Sequence, residues 1–373
     1  MADLAALVAG VRKGVEATRS MDEATRRQAE AQFAQLSTQQ YPRLVYALGE
    51  IMKDNSTPLN DVVRQQASVL LSGFIKPRDP RKRAVYAKLW TDQTDAFKLQ
   101  VKQQLIAAMR SPGADGAGLS RSAAACLAEI AILEIPHNKW PTFAAEMKTL
   151  CQTAESTESD IAVRKAAATL IGQVCTFLEP DRHLSQSDVN SLLGSVCACM
   201  TSRSPDVVAA AMLALTNSLK FIARNMEIKQ QRDHLVTELI EKGVKSPSPK
   251  VQEKALQCLV VMCDDYYTFL PEYIKQIMEL TLQLVKAGSV AGEVKIQAIE
   301  VWNTILEVEL DLVAGNHQIM KHYGLHLVPV LMQTMVFRDE VSTCLCCAQY
   351  LSWLPVFVTT SSSLVVNSVC GSP

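Results

Sequence analysis

The side chains best equipped for chemistry in this 373-residue chain are eleven cysteines, six histidines and one short run of cations. Cys197 and Cys199 stand two apart, and Cys344, Cys346 and Cys347 form a second cluster. Close thiols suggest a metal site. Structural zinc, however, needs a Cys-x-x-Cys pair answered by a second such pair or by paired histidines, and the sequence supplies no such complement. Cys197 and Cys199 therefore read as small helix residues, at least one of them buried. His137 reads as a hydrogen-bonding surface residue. The chain has no phosphate loop, no Gly-x-Ser-x-Gly elbow and no acid–histidine–nucleophile spacing. It is read as a non-enzyme, with no cofactor and no metal. The run Arg78–Arg83 carries four basic residues. It is either a solvated loop between helices or a contact for an acidic patch on a partner.

The elements that position these residues follow from a repeat. Ala29, Ala67, Ala124, Ala167, Ala211, Ala255 and Ala298 are separated by 38, 57, 43, 44, 44 and 43 residues. Four residues after each stands a small or apolar side chain: Phe33, Leu71, Ala128, Ile171, Leu215, Leu259 and Trp302. A four-residue step keeps both groups on one helix face. A helical period of about 40–47 residues marks HEAT or armadillo repeats, whose helix pairs must stack to bury their apolar faces. The expected fold is all-α, a HEAT-repeat right-handed superhelical solenoid.

Seven helix pairs are predicted. They are Asp22–Leu36 with Tyr41–Met52, Asp61–Ile75 with Thr94–Met109, and Ser120–Ile132 with Trp140–Cys151. Then follow Asp160–Leu178 with Ser187–Met200, Pro205–Arg224 with Ile228–Glu241, Pro249–Cys263 with Leu270–Val285, and Gly292–Leu312 with Tyr323–Met335. An insertion, Lys76 to Arg83, explains the 57-residue step. Asp22 is placed as an N-cap and Pro42 in a first turn, while Ser204-Pro205 and Ser248-Pro249 pair a serine cap with proline at the first helical position.

Composition fits this reading. Glycine and proline number 15 each, aromatics make up 6 %, and the net charge is −1. Nothing global points to nucleic acid or to membrane insertion. Before residue 340 no apolar run is long enough to cross a bilayer. Met1-Ala2-Asp3-Leu4 lacks the basic start and apolar run of a secretory signal, and the cysteines read as reduced thiols of a cytosolic or nuclear protein. Residues 1–340 are taken as the repeat array. Residues 341–373 contain no Asp, Glu, Lys or Arg and are taken as a divergent tail outside it. Pro355 and the Thr/Ser run argue against a membrane anchor there. A divergent cap and an out-of-frame or intronic extension after a truncated array are the other readings, and the second is favoured. Such an end leaves the last repeat uncapped and predicts exposed apolar surface.

Several stretches resemble the importin-beta family of karyopherins. They include Cys126-Leu127-Ala128-Glu129-Ile130-Ala131 leading to Glu134-Ile135-Pro136-His137-Asn138-Lys139-Trp140-Pro141. Ala255–Val260 running into Tyr266-Tyr267, Gln297–Trp302 with Glu309–Leu312, and Leu327–Thr334 are similar in the same order. The resemblance covers about residues 20–335, well under half of a full receptor. It implies a HEAT superhelix with first helices on the convex face and second helices on the concave face. It further implies a nuclear transport receptor of cytoplasm, nucleus and nuclear pores. The N-terminal repeats would hold Ran-GTP on the inside, and outer grooves of the middle repeats would take Phe-Gly nucleoporins. In the family, more C-terminal repeats hold importin alpha or cargo. Here Val336–Glu340 leads directly into the uncharged tail, without the family's acidic loop, so adaptor binding is not carried over. Gln65–Leu70 also differs from the family's usual helix.

The resemblance places the Phe-Gly groove at Ile171, Phe221 and Ile222. A benzyl group needs a small preformed apolar slot. The competing reading makes these ordinary inter-repeat core residues. Of the signature residues Glu134, Pro136, Trp140, Pro141 and Trp302, the two tryptophans are expected to be packing anchors rather than interface hot spots. A non-transport HEAT scaffold, such as a phosphatase scaffold subunit or a vesicle-coat adaptor, is the alternative.

Overall fold

The computed structural model describes residues 2–54, 56, 61–77, 79–111, 117–180, 182–311 and 319–334. Arg78, the Cys344/Cys346/Cys347 cluster, the boundary placed at 340 and the tail beyond it lie outside those residues. Every regular element among the described residues is helical. Of the chain's two compact units, the first runs to His322 and carries the repeats. In the second, residues 323–334 continue a helix that contains Pro329.

The alanine beat marks the core. All seven alanines, and all seven residues four positions later, are buried. They lie on α2 (Glu23–Gln39), α4 (Asp61–Ile75), α7 (Ala117–Glu134), α9 (Glu158–Phe177), α11 (Pro205–Ser218), α14 (Pro249–Asp265) and α16 (Gly292–Asp311). From α4 to α16 each of these first helices packs on the next. The second helices are α3 (Tyr41–Lys53), α6 (Asp95–Arg110), α8 (Phe143–Cys151), α10 (Gln186–Met200), α13 (Lys229–Glu238) and α15 (Ile274–Lys286). The last helix, α17, spans Ile319–Thr334.

Local chemistry fixes the ends. Asp22 caps α2 by accepting from the Thr25 N–H, and Thr157 and Asp160 form a reciprocal capping box on α9. Pro205 and Pro249 occupy first turns as predicted, but Ser204 and Ser248 make no side-chain cap bond. Their backbone N–H groups instead donate to the Ser202 and Ser246 hydroxyl oxygens.

Two elements were not anticipated. Helix α1 (Ala2–Ala17) precedes the first expected pair and packs on α2 and α3, burying Val11 and Val15. Their four-residue spacing was its only signal. The insertion is also not a loop: Asp79 caps α5 (Pro80–Thr91), whose first turn holds Arg81, Lys82 and Arg83. Trp90 alone of this helix is fully buried, and Tyr86 adds a second hold, donating to Ser37 Oγ and packing on the Tyr41 and Phe74 rings. Elsewhere α8 begins at Phe143 rather than Trp140. The first helix of the fifth pair breaks after Ser218 into a 3-10 turn, Leu219–Phe221, and a short helix, α12 (Ala223–Glu227).

Glycine permits the closest approaches. A Cβ on Gly172 of α9 would lie 3.0 Å from the Ala214 Cα of α11. Helix α13 continues through a π-helical turn, Leu239–Val244, where a Cβ on Gly243 would lie 2.5 Å from the Ala255 Cβ.

Candidate functional site

The signature segment is built around one buried carboxylate. Glu134, at the end of α7, accepts from the Trp90 Nε1 of α5 at 3.1 Å and from the Lys102 Nζ of α6 at 2.7 Å. Both members of the ion pair are buried, and the ammonium lies 4.5 Å from the Trp140 ring centroid. Trp140 meets Phe143 edge-on at 5.3 Å. The intervening turn closes at Asn138, whose φ of 54° is the left-handed conformation that asparagine tolerates. His137 is exposed. Glu134 and Trp140 thus tie three helices together. Trp302 is an equivalent anchor, donating its Nε1–H to Thr281 Oγ1 at 2.9 Å.

The structure brings Ile171, Phe221 and Ile222 together, but not as an open slot. With Cys175, Leu192 and Val196 they line a cavity of about 10 Å³ between α9, α10 and the 3-10 turn after α11. That is room for about one water, whereas a cavity known to take benzene is about 150 Å³. Ile171 and Ile222 are 1 % exposed and Phe221 8 %. These side chains are packed rather than set around an open groove: the alanine beat that places Ile171 on the stacking face also buries it. The exposed apolar groups nearby are Phe177, at the end of α9, and Leu213, on α11. Lys220 donates to the Thr176 carbonyl across these helices at 3.1 Å, and Asn217 donates to the Gly172 carbonyl at 3.2 Å.

Polar ladders run from repeat to repeat. On the first helices, Asp206 of α11 accepts from Lys165 of α9 at 2.5 Å and from Lys250 of α14 at 2.6 Å. These two hydrogen bonds bring its carboxyl down to about 2. Beside the second helices, Arg232 of α13 donates to the Met226 carbonyl, to Tyr273 Oη at 3.1 Å and to Glu272 at 3.1 Å. Tyr273 in turn donates to Asp233, and this bond holds the Asp233 carboxyl below its ordinary range. Asn225 joins Gln186, Asn190 and Gln231 into a further knot around α10, α12 and α13. Sequence reasoning missed these groups. Their signal is periodic: Lys165–Asp206, Arg232–Tyr273 and Lys250–Asp206 are separated by 41, 41 and 44 residues, one repeat apart.

Of the cysteines paired by sequence, Cys199 is buried and Cys197 half-buried. Among the described residues no cluster of ligating side chains could hold a metal ion, and no helix is long and apolar enough to cross a membrane.

Residues 116–280 match the family described as IPO5-like, TPR repeats. The chain is 27 % identical to importin subunit beta-1 of Schizosaccharomyces pombe over 341 residues, 87 % of this chain and 38 % of that relative. Among solved structures it is similar to Kap95p, yeast importin-beta. Kap95p with RanGDP, whose switch loops adopt the GTP-bound conformation on Kap95p binding, gives a TM-score of 0.75 at 25 % identity, covering 90 % of this chain and 39 % of that one. A Kap95:Nup1 complex gives 0.74 at 25 % identity, with 90 % and 39 % covered. The chain therefore spans well under half the length of the proteins it matches.

Proposed function

We propose that this chain, which belongs to the importin-beta (karyopherin) family, works as a nuclear transport receptor that binds Ran-GTP and Phe-Gly nucleoporins and moves between cytoplasm and nucleus. The observation that supports this most is the collinear match of its helix pairs to Kap95p, a protein with solved RanGDP and Nup1 complexes. Ran is assigned to the second-helix layer. Its partners there are long polar side chains, which re-orient at little cost and suit a partner that must be gripped and released.

Phe-Gly motifs are assigned to the first-helix layer around α9 and α11. Exposed Phe177 and Leu213 offer the initial contact. The cavity of Ile171, Phe221 and Ile222 is a floor that receives a benzyl group only when the helices part. Each such contact is weak, and useful retention comes from engaging several motifs at once.

The test is capture of the full chain on beads carrying Ran loaded with a non-hydrolysable GTP analogue, Ran-GDP, or a Phe-Gly nucleoporin segment. Retention on Ran-GTP and on the Phe-Gly segment, with Ran-GTP favoured at least ten-fold over Ran-GDP, is the expected result. Equal or absent retention of a chain whose circular dichroism remains helical would return the protein to a non-transport HEAT scaffold.

A further inference from the structure

Two connections of the array carry a serine–proline pair that helix capping leaves unused. Ser204-Pro205 opens α11 and Ser248-Pro249 opens α14, and neither serine makes a side-chain cap bond. The second connection is doubled and basic at both ends, reading Lys245-Ser246-Pro247-Ser248-Pro249-Lys250. Its lysines and prolines are exposed and its serines half-buried. Proline steers the residue before it to extended backbone, and Ser248 has φ −89° and ψ 117°. Ser246 Oγ accepts from the Ser248 N–H at 3.3 Å and holds the turn. The Ser248 hydroxyl is left over from both the turn and the cap.

The two copies differ in what holds them and in what flanks them. The segment before Ser204 is tied to the previous repeat. Glu155 accepts from the Ser202 hydroxyl and from the Arg203 N–H, and the Arg203 guanidinium donates to the Glu155 carbonyl. The segment before Ser248 is held locally. Lys245 N–H donates to the Ile240 carbonyl at 2.9 Å, Ser246 N–H to the Gly243 carbonyl at 3.0 Å, and the Lys245 ammonium pairs with Glu241 at 2.6 Å. That segment can lift away at the cost of local bonds alone. An enzyme groove that takes the chain in extended form meets two cations around Ser248, Lys245 and Lys250. Around Ser204 it meets Arg203 and Asp206, whose charges cancel. The proline after each serine suits such a groove, because it brings no N–H that must find a partner there.

We propose that Ser248 is a phosphorylation site for a proline-directed serine kinase, and that the phosphate cuts one rung of the polar ladder between α11 and α14. Ser248 Oγ attacks the γ-phosphorus of ATP. The new P–O bond forms as the bond to the β,γ-bridging oxygen breaks, ADP leaves, and the hydroxyl proton passes to the kinase's carboxylate base. The product carries a charge of about −1.5 to −2 at pH 7. Lys250 stands two residues further on, and its ammonium bonds Asp206 of α11 at 2.6 Å. Asp206 is a single carboxylate shared with Lys165. A phosphate offers Lys250 more charge and three acceptor oxygens within its own helix start. Lys250 therefore turns from Asp206 to the phosphate, and the bond between the two first helices is exchanged for one within α14. The neighbouring rung, Lys165–Asp206, stays in place and gains the whole carboxylate. Phosphorylation thus loosens one inter-repeat contact without touching the buried alanine face.

The test incubates the native full chain with a cyclin-dependent kinase and magnesium ATP, and maps phosphopeptides by mass spectrometry. Synthetic peptides of residues 199–209 and 243–253 are run beside it. The expected product is phosphoserine at 248 in the native chain, formed at least about ten-fold faster than at Ser204. It is retained in Ser246→Ala and lost in Ser248→Ala, a change that removes no cap bond and so leaves the fold intact. Phosphate on Ser204 or Ser246 ahead of Ser248, phosphorylation of the peptide but not of the native chain, or no phosphorylation of either would overturn the proposal. A carbodiimide then reads the ladder by joining Asp206 to whichever ammonium it touches. In the phosphorylated chain the Lys250–Asp206 link should fall several-fold relative to Lys165–Asp206. An unchanged ratio would overturn the exchange of partners.

Discussion

The two helical layers of the array meet their neighbours in different ways. Between α9 and α11 the contact is close and nearly backbone to backbone, with Gly172 against Ala214 and a stretch of buried alanines on each side, crossed by the Lys165–Asp206, Asn217–Gly172 and Lys220–Thr176 bonds. Beside α13 the contact is made by long side chains: Arg232, Glu272, Tyr273 and Lys229, most of them partly open to solvent. Alanine and glycine faces leave little rotamer freedom to lose and no slack in spacing. A ladder of arginine, tyrosine and glutamate can lengthen, swap partners or take a bridging water at small cost. The first-helix layer is therefore the less compliant of the two, and the second-helix layer the more adaptable.

The largest expected effect falls on the buried ion pair that ties α5 and α6 to α7. Glu134→Ala leaves the Lys102 ammonium and the Trp90 N–H buried without their partner. A loss of about 3–5 kcal/mol follows, read as a fall in the urea midpoint. A loss below about 1 kcal/mol would mean that water replaces the carboxylate. Next come two glycines that separate the layers. Gly172→Ala forces a shift at Ala214 and should destabilise by about 1–3 kcal/mol, net of the helix preference for alanine. Gly194→Ala, on exposed α10 surface with nothing near its Cβ, should stabilise by roughly 0.5–1 kcal/mol. The same sign at both positions in thermal unfolding would erase the distinction. The smallest effect is on the polar ladder. Tyr273→Phe removes the bonds to Asp233 and from Arg232, for about 1 kcal/mol at low salt. That difference should shrink in 1 M sodium chloride, while the effect of Glu134→Ala should not.

What the sequence revealed follows the same division. The first-helix layer was legible because its stacking constraint is periodic and apolar: the seven alanines and their partners are buried without exception. Trp140 and Trp302 are both buried. Helix α1 escaped because its period stands outside the beat. Helix α5 escaped because a proline- and arginine-rich stretch looks like a loop until Asp79 and Pro80 are recognised as its cap and first residue. Ile171, Phe221 and Ile222 line one small cavity, and their burial depends on how the chain folds back after Ser218, which no local pattern encodes. The polar ladders were invisible to motif reading because each rung joins residues about one repeat apart.

The regular return of the stacking face has a consequence for how such a chain can change length. From Ala124 to Ala298 the face recurs every 43 or 44 residues. Removing or duplicating a whole period inside that span presents the next helix pair at the same phase, so the cut ends rejoin on matching surfaces. Losing a single residue within a first helix turns every later side chain of that helix by about 100°, swinging its alanine away from its neighbour. Insertions and deletions within this array are thus tolerated in units of one repeat or in the connections between helices, as the added helix α5 between α4 and α6 already illustrates.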